Sequence, residues 1–249
     1  MSERTTIALL GYGKMGKEVE RLTESQQCEI GAIYDPSLEG KHAELGALQA
    51  ASFDVFIDFS TPNSAVKNIE LAASLGKNIA VGTTGWYDKL PDVERIVRES
   101  GIGCIYAQNF SVGIFLFKQL VAHAAKLFNA HDQYDVTLHE VHHRKKLDAP
   151  SGTAHTLADT IVGNIDRKSS YQYGIPEEGE PKEETLYVSS QRTGSVPGTH
   201  SVVFDSIVDS IELTHTARSR GGLALGALLA AKWIQGKQGL YTIEDMLNG

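Results

Sequence analysis

Residues 6–22 read TIALLGYGKMGKEVERL, and how this stretch is parsed decides the architecture around it. Thr6 to Leu10 form an apolar run of strand length, and from Met15 to Leu22 apolar residues return at helical spacing. Between them stands GYGKMG, Gly11 to Gly16. In a strand, turn and helix of this order the first glycine makes the tight turn, the second admits a pyrophosphate to the backbone, and the third packs helix on strand. The helix N-terminus adds unpaired N–H groups and the positive end of its dipole. Alone this spacing is weak evidence. Its context strengthens it: the next apolar run, EIGAIYD, ends on Asp35, about 20 residues past the turn, where a carboxylate accepts hydrogen bonds from an adenosine ribose. An ordinary glycine turn beside a solvated aspartate is then the weaker reading. Gly11, Tyr12, Gly13, Lys14, Met15, Gly16 and Asp35 are candidate dinucleotide-binding residues.

The alternation continues outward through DVFIDFS, NIAVGT and GIGCIYA, with helical spacing between the runs and Pro62 and Pro91 where helices can begin. Such a pattern predicts an α/β fold whose first domain is a Rossmann-type, doubly wound parallel sheet. Two loops fall at carboxyl ends of its strands, where open sheets bind ligands: Gly82, Thr83 and Thr84 in GTTGW, and Ala107, Gln108, Asn109 and Phe110 in AQNFSVG. They are candidate walls for a nicotinamide, although each alone is also an ordinary turn sequence.

After Ser111 the pattern changes to one long helix, VGIFLFKQLVAHAAKLFN, and then to period-2 segments, YDVTLHEVH, TLYVSSQRT, THSVVFDS and SIELTHTA. These predict a second, α+β domain with a mostly antiparallel open sheet, and GIPEEGEPKEE marks an exposed loop within it. The segment GGLALGALLAAKWIQGKQG is apolar on nearly every side, so it should pack deeply and return to the first domain. The expected division is 1–110 with 219–249, against 111–218.

Composition sets limits. A chain of 249 residues that is 41% hydrophobic holds one large domain or two modest ones with real cores. The formal charge of -8 argues against a nucleic-acid partner. Cys28 and Cys104 are the only cysteines, too few for a disulfide framework, and both fall in strand-like apolar runs, which fits a reducing cytoplasm. MSERTTIALL lacks a signal-peptide layout, and no apolar run approaches the ~20 residues that span a bilayer, so no membrane association is expected.

Against that acidic background EVHHRKKLDAPSGTAHTLADTI, residues 140–161, gathers five basic side chains, His142 to Lys146. If a strand ran through them, His142, Arg144 and Lys146 would share one face and His143 and Lys145 the other, though a bend could turn both histidines inward. Pro150 and Ser151 suit the start of a helix whose N–H groups at Gly152 and Thr153 would point outward. A charge run is usually a solvated face. Here cations, imidazoles and free N–H groups converge within a few residues, which reads as a carboxylate pocket with a proton donor.

EVHHRKKLDAPSGTA resembles throughout the signature of the dihydrodipicolinate reductases of lysine biosynthesis, which is close to E-x-H-H-x-x-K-x-D-x-P-S-G-T-A. The resemblance extends to GYGKMG, DFSTP (58–62), GTTGW, NFSVG (109–113), THTARSR (214–220) and GLYTIEDML (239–247), and so covers essentially the whole chain. It implies an NAD(P)H-dependent enzyme that reduces 4-hydroxy-tetrahydrodipicolinate, or dihydrodipicolinate, to tetrahydrodipicolinate in the diaminopimelate route to lysine. By the same resemblance His142 is the general acid, Lys146 assists proton delivery and holds a carboxylate, and His143, Gly152 and Thr153 bind the substrate's carboxylate. The second domain is then the substrate-binding and oligomerisation domain of a homotetramer, taking a small dicarboxylate. The alternative is another two-domain nicotinamide-dependent dehydrogenase, of sugars or amino acids; a non-catalytic NAD-binding regulator would not need His142 and Lys146.

Departures from the family pattern bear on the cofactor. Gln108 stands where many members have proline, and the chain between Asp35 and Phe53 is short. Pro36 and Ser37, not an arginine, follow Asp35, which removes the usual clamp for a 2′-phosphate, with Lys14 as a partial substitute. NADH is the expected cofactor, with NADPH also accepted. His123, His131, His155 and His200 read as surface or core polar residues, no spacing suggests a metal, and Arg220 reads equally as a second anion contact or a hinge-side residue.

Overall fold

The computed structural model describes residues 4–176 and 178–248, with the side chains of Lys41, Ala43, Ala47 and Ala50 outside the description. Glu177, within the expected loop, is likewise outside it. The chain forms two compact units, Met1–Val112 with Arg220–Gly249, and Gly113–Ser219.

The first unit opens with β1 (Thr5–Leu10), α1 (Lys14–Leu22) and β2 (Cys28–Tyr34), then α2 (Leu45–Ala50), β3 (Val55–Asp58) and α3 (Pro62–Ser74). It continues with β4 (Asn78–Val81), α4 (Leu90–Ser100) and β5 (Gly103–Tyr106). Ile7 to Leu10, Val55 to Ile57 and Ile79 to Val81 are essentially without solvent exposure, because helices cover both faces of the sheet. Pro62 stands in the first turn of α3, where its missing N–H has no intrahelical acceptor to lose.

The second unit takes in most of α5 (Val112–Asn129), followed by β6 (Asp135–His142), α6 (Gly152–Val162), β7 (Ser170–Tyr173), β8 (Thr185–Arg192), β9 (Thr199–Asp205) and β10 (Ser210–Thr216). Its sheet runs β10-β9-β6-β8-β7. The sheet is mixed rather than mostly antiparallel: β9 is antiparallel to β6 and β10, while β8 is parallel to β6 and β7. Period-2 alternation reports that one face is buried and is the same for either strand direction. What makes β6 and β8 parallel is the long crossover carrying α6. The covered face packs Val136, Leu138, Val188, Val202 and Phe204 against Phe117 and Val121 of α5 and Leu157 and Ile161 of α6.

The chain then returns to the first unit with α7 (Gly221–Trp233), β11 (Gly239–Thr242) and α8 (Ile243–Asn248). Ala224, Ala227, Leu228, Ala230 and Ala231 of α7 are fully buried, as an all-round apolar helix requires. At Gly226 an added Cβ would lie 1.7 Å from the Phe110 carbonyl oxygen, so only glycine fits. β11 pairs with β5 and completes a six-stranded parallel sheet of order β11-β5-β4-β3-β1-β2. β2 and β3 flank β1 on opposite sides, so the order reverses beside the glycine turn.

Candidate active site

Each unit carries one set of candidate groups. In the first, the turn after β1 follows the logic of its three glycines. Gly11 has φ +90, and an added Cβ there would lie 2.4 Å from the Phe59 carbonyl oxygen. A Cβ on Gly16 would lie 2.4 Å from the Gly11 oxygen, so this glycine lets α1 sit against the turn. Gly13, the N-cap of α1, has neither constraint: a Cβ there meets no atom within 4 Å. The backbone at Gly13 is thus open at the N-terminus of α1, where unpaired N–H groups and the positive end of the helix dipole favour an anion.

Asp35 follows β2 and already helps to hold this turn. Its Oδ2 accepts from the Tyr12 N–H at 2.8 Å, and its Oδ1 accepts from the Ser37 N–H at 2.9 Å and hydroxyl at 2.7 Å. Burial alone would raise its pKa, but these hydrogen bonds outweigh burial and hold it below the usual range. Two carboxylate oxygens offer about four lone-pair directions, so capacity remains for a ribose hydroxyl. Lys14 and Gln108 are exposed, and Asn109 uses its side-chain oxygen to accept from the Ser111 N–H at 2.8 Å. The loop after β4 is fixed by Thr83, whose hydroxyl accepts from the Ser60 N–H and whose carbonyl accepts from the Trp86 indole, both at 2.8 Å. Gly82 lies under the Phe59 ring, 2.1 Å from where its Cβ would be.

In the second unit β6 ends at His142, so the basic run does not continue as a strand. A turn follows, with the Lys146 N–H donating to the His143 carbonyl at 3.1 Å. Alternation along β6 puts Glu140 and His142 on the same covered face as Val136 and Leu138. His142 is 7% exposed, and its pKa falls from 6.5 to about 4, first because burial penalises the charged ring and only partly offset by Glu140. Lys146 donates to both oxygens of Asp148, at 2.9 and 2.8 Å. Ser151 N-caps α6, its hydroxyl accepting from the Ala154 N–H at 3.2 Å. Gly152 and Thr153 open α6, and their N–H groups have no intrahelical acceptor by position.

Sequence reasoning missed the group at the centre of this cluster. Glu140 is fully buried and accepts from the Ser151 N–H at 3.1 Å, the Ser190 hydroxyl at 3.0 Å and the Arg192 guanidinium at 2.9 Å. Burial would push its pKa up, but this set of hydrogen bonds holds it well below the usual carboxylate range. His200, read from sequence as an ordinary polar residue, is buried with its Nε2 3.5 Å from the same carboxylate and 3.2 Å from the Ser151 hydroxyl. Glu140, His142 and His200 bring three ligand-type atoms within 4.8 Å of one another. Glu140 already accepts from three donors, one of them a cation, so the group reads as a proton and hydrogen-bond network. The signal for Glu140 was available, since it precedes His142 by two on a strand. His123, His131 and His155 are exposed, and Arg220, also exposed, stands at the N-terminus of α7 in the first unit.

These features define a class: a two-unit protein with a Rossmann-type fold in one unit and a helix N-terminus beside a buried histidine in the other. The family profile described as dihydrodipicolinate reductase, N-terminus, matches residues 5–110, and its C-terminal counterpart matches residues 113–247. The chain belongs to this family. A Christiangramia forsetii protein named 4-hydroxy-tetrahydrodipicolinate reductase is 38% identical over 97% of both chains. One of the same name from Methanocaldococcus jannaschii is 36% identical over 78% of this chain and 71% of its own. Among solved structures, a dipicolinate-bound dihydrodipicolinate reductase from a Paenisporosarcina species shares the fold at a TM-score of 0.76, with 23% identity over 98% of this chain and 99% of its own.

Proposed function

We propose that this protein reduces 4-hydroxy-tetrahydrodipicolinate, or the dihydrodipicolinate formed from it, to tetrahydrodipicolinate with NAD(P)H, a step of lysine biosynthesis. The observation that carries the reading is the tie between the end of β6 and the start of α6, where Glu140 accepts from the Ser151 N–H and lies beside His142, with Lys146 close enough to act on the same ring. A dicarboxylate leaves water only if its charges meet cations and oriented donors, and this cluster offers both. Gly152 and Thr153 take one carboxylate at the helix N-terminus, with His143 beside them. Lys146 exchanges Asp148 for substrate. His142 is neutral without substrate; a bound dianion favours its protonated form, which then donates a proton to the ring. Hydride chemistry comes from the reduced nicotinamide when it is bound. Gly11 to Gly16 and Asp35 hold the dinucleotide at the first unit, and the loops at 82–84 and 107–110 flank its nicotinamide. Two free, buried cysteines support a reducing cytoplasm as its place of work.

NADH is the preferred cofactor, with NADPH accepted. A ribose-binding carboxylate repels a 2′-phosphate, and two unit charges ~4 Å apart interact by ~4 kcal/mol at an effective dielectric of 20. No arginine follows Asp35 to offset this, and Lys14 on the turn compensates in part. The test is kcat/KM with freshly formed substrate and each cofactor, at low and moderate salt, in wild type and Lys14→Ala. Wild type should favour NADH, and the variant should lose NADPH activity disproportionately. A preference of about tenfold or more for NADPH, ~1.4 kcal/mol the other way, would refute the cofactor reading. No turnover of this substrate with either cofactor, beside turnover of a sugar or amino acid, would refute the substrate.

A further inference from the structure

The covered face of β6 carries Val136, Leu138, Glu140 and His142, and Glu140 stands where an apolar residue would pack most cheaply. A buried carboxylate is retained there at a cost that its own hydrogen bonds offset. Those bonds tie three segments together: the start of α6 through the Ser151 N–H, β8 through Ser190 and Arg192, and β6 itself. Arg192 also donates to the Asp148 carbonyl at 2.6 Å, reaching the residue that holds Lys146. The other oxygen, Oε2, shares the Ser151 N–H at 3.2 Å and faces His142, 3.4 Å from its Nδ1, within ion-pair range though not aligned as a hydrogen bond.

We propose that Glu140 is a positioning residue for His142, fixing the tautomer of its imidazole and linking the proton donor to the helix end that receives the substrate's carboxylate. The proposal rests on the reading of His142 as the proton donor. A carboxylate can only accept, so the ring nitrogen facing it carries the proton in the neutral ring. Nδ1 is then the N–H, and Nε2 is the atom that gains and gives up the transferred proton. Gly198, at the turn before β9, keeps room for that edge of the ring, since an added Cβ would lie 3.0 Å from Nε2. The charged and titratable groups facing His142 are Glu140 on its own strand, His200 on β9, Arg192 on β8 and Lys146 in the following turn. Glu140 is the one negative charge among them, and it favours the imidazolium, whereas the other three disfavour it. His200 shares the same Oε2 and the Ser151 hydroxyl, so it competes with His142 for this carboxylate.

The experiment is a two-by-two comparison of wild type, Glu140→Gln, His142→Gln and the double variant, with kcat, KM and the pH profile of kcat. Glu140→Gln should lower kcat by ~10²-fold with KM nearly unchanged, the scale of a compromised general acid. It should also move the high-pH limb, where the protonated donor is lost, down by about a unit, because the favourable charge beside the imidazolium is gone. In the His142→Gln background the same change should cost almost nothing more. An equal loss in both backgrounds, or an unmoved pH limb, would reduce Glu140 to a structural residue. Because Glu140→Gln could misfold, the tautomer is also read in the wild-type protein from the 15N shifts of labelled histidine, with His142 assigned by its disappearance in His142→Gln. An Nδ1–H neutral ring is expected, and an Nε2–H ring overturns the proposal. If His142→Gln keeps full kcat, the proton-donor reading fails on its own, while the tautomer still reports on Glu140.

Discussion

His142, the proposed proton donor, rests neutral, a tension that lives in one residue. Burial takes the pKa of His142 from 6.5 to about 4, so in the free protein the ring is uncharged at neutral pH. The sign of the stability effect follows. Between those two values the unfolded chain binds a proton that the folded chain does not, so stability conferred by the neutral ring is complete above 6.5 and is lost as pH falls towards 4. Glu140, held below its ordinary 4.5, contributes stability that is lost only at lower pH, as pH falls through its folded value. His142→Gln should therefore flatten the decline of the melting temperature between about pH 6.5 and 4, the window set by its ordinary and folded values. The same variant should lower kcat by about 10²- to 10⁴-fold with little change in KM. Thermal melts across that range check the first expectation; a wild-type slope retained in the variant would show that His142 is not the buried neutral group. Unchanged kcat would remove it from the chemistry.

At the scale of elements, the turn from β1 into α1 separates two uses of glycine that a sequence motif merges. Gly16 is required by packing, because its Cβ would lie 2.4 Å from the Gly11 oxygen, whereas Gly13 meets nothing in the protein. Gly16→Ala should therefore lower the melting temperature of the free enzyme, with a destabilisation of about 1–3 kcal/mol, typical of overpacking. Gly13→Ala should leave the melt of the free enzyme nearly unchanged and raise KM for NADH. Equal melts for the two variants would contradict this division. The reason the motif was legible is that strand, turn and helix each carry a local signal here, as do the doubly buried strands β3, β4 and β5. Elsewhere local signal gave out. β7 and β11 are four residues each and alternate too briefly to register, and the parallel pairing of β6 with β8 depends on a crossover, not on either strand's own residues. The histidines, Lys146 and the start of α6 were readable because their chemistry stands out in an acidic chain. Glu140, His200 and Arg192 come from β6, β9 and β8, and only sheet register brings them together.

On the scale of the whole molecule the second sheet raises the question of its uncovered face. One face is packed by α5 and α6; the other exposes Asp135 and Thr137 of β6 and Ser210, Glu212 and Thr214 of β10. The hairpin joining β9 to β10 carries Ile207 and Val208 at 102% and 80% exposure, and Ile211 just beyond is 46% exposed. A sheet with one open face and an apolar hairpin tip suits contact with a second copy of this chain, and the proposed state is a homotetramer assembled through these sheets. A stable contact of this kind buries at least about 1,000 Å² in total. Covering an aliphatic side chain fully contributes ~1.5–3 kcal/mol, so losing Ile207 and Val208 together should weaken assembly by at least about tenfold. Light scattering coupled to size exclusion should give four chains for wild type at micromolar concentration. Ile207→Ser with Val208→Ser should shift the distribution towards smaller species on dilution, with each unit's fold intact by circular dichroism. A wild-type mass of one chain would end the assembly proposal, and an unchanged tetramer in the double variant would move the contact away from this hairpin to the body of the sheet. In that second case Glu212→Lys on β10, which reverses a charge on the open face, becomes the decisive variant: an assembly indifferent to it as well would exclude the sheet from the interface.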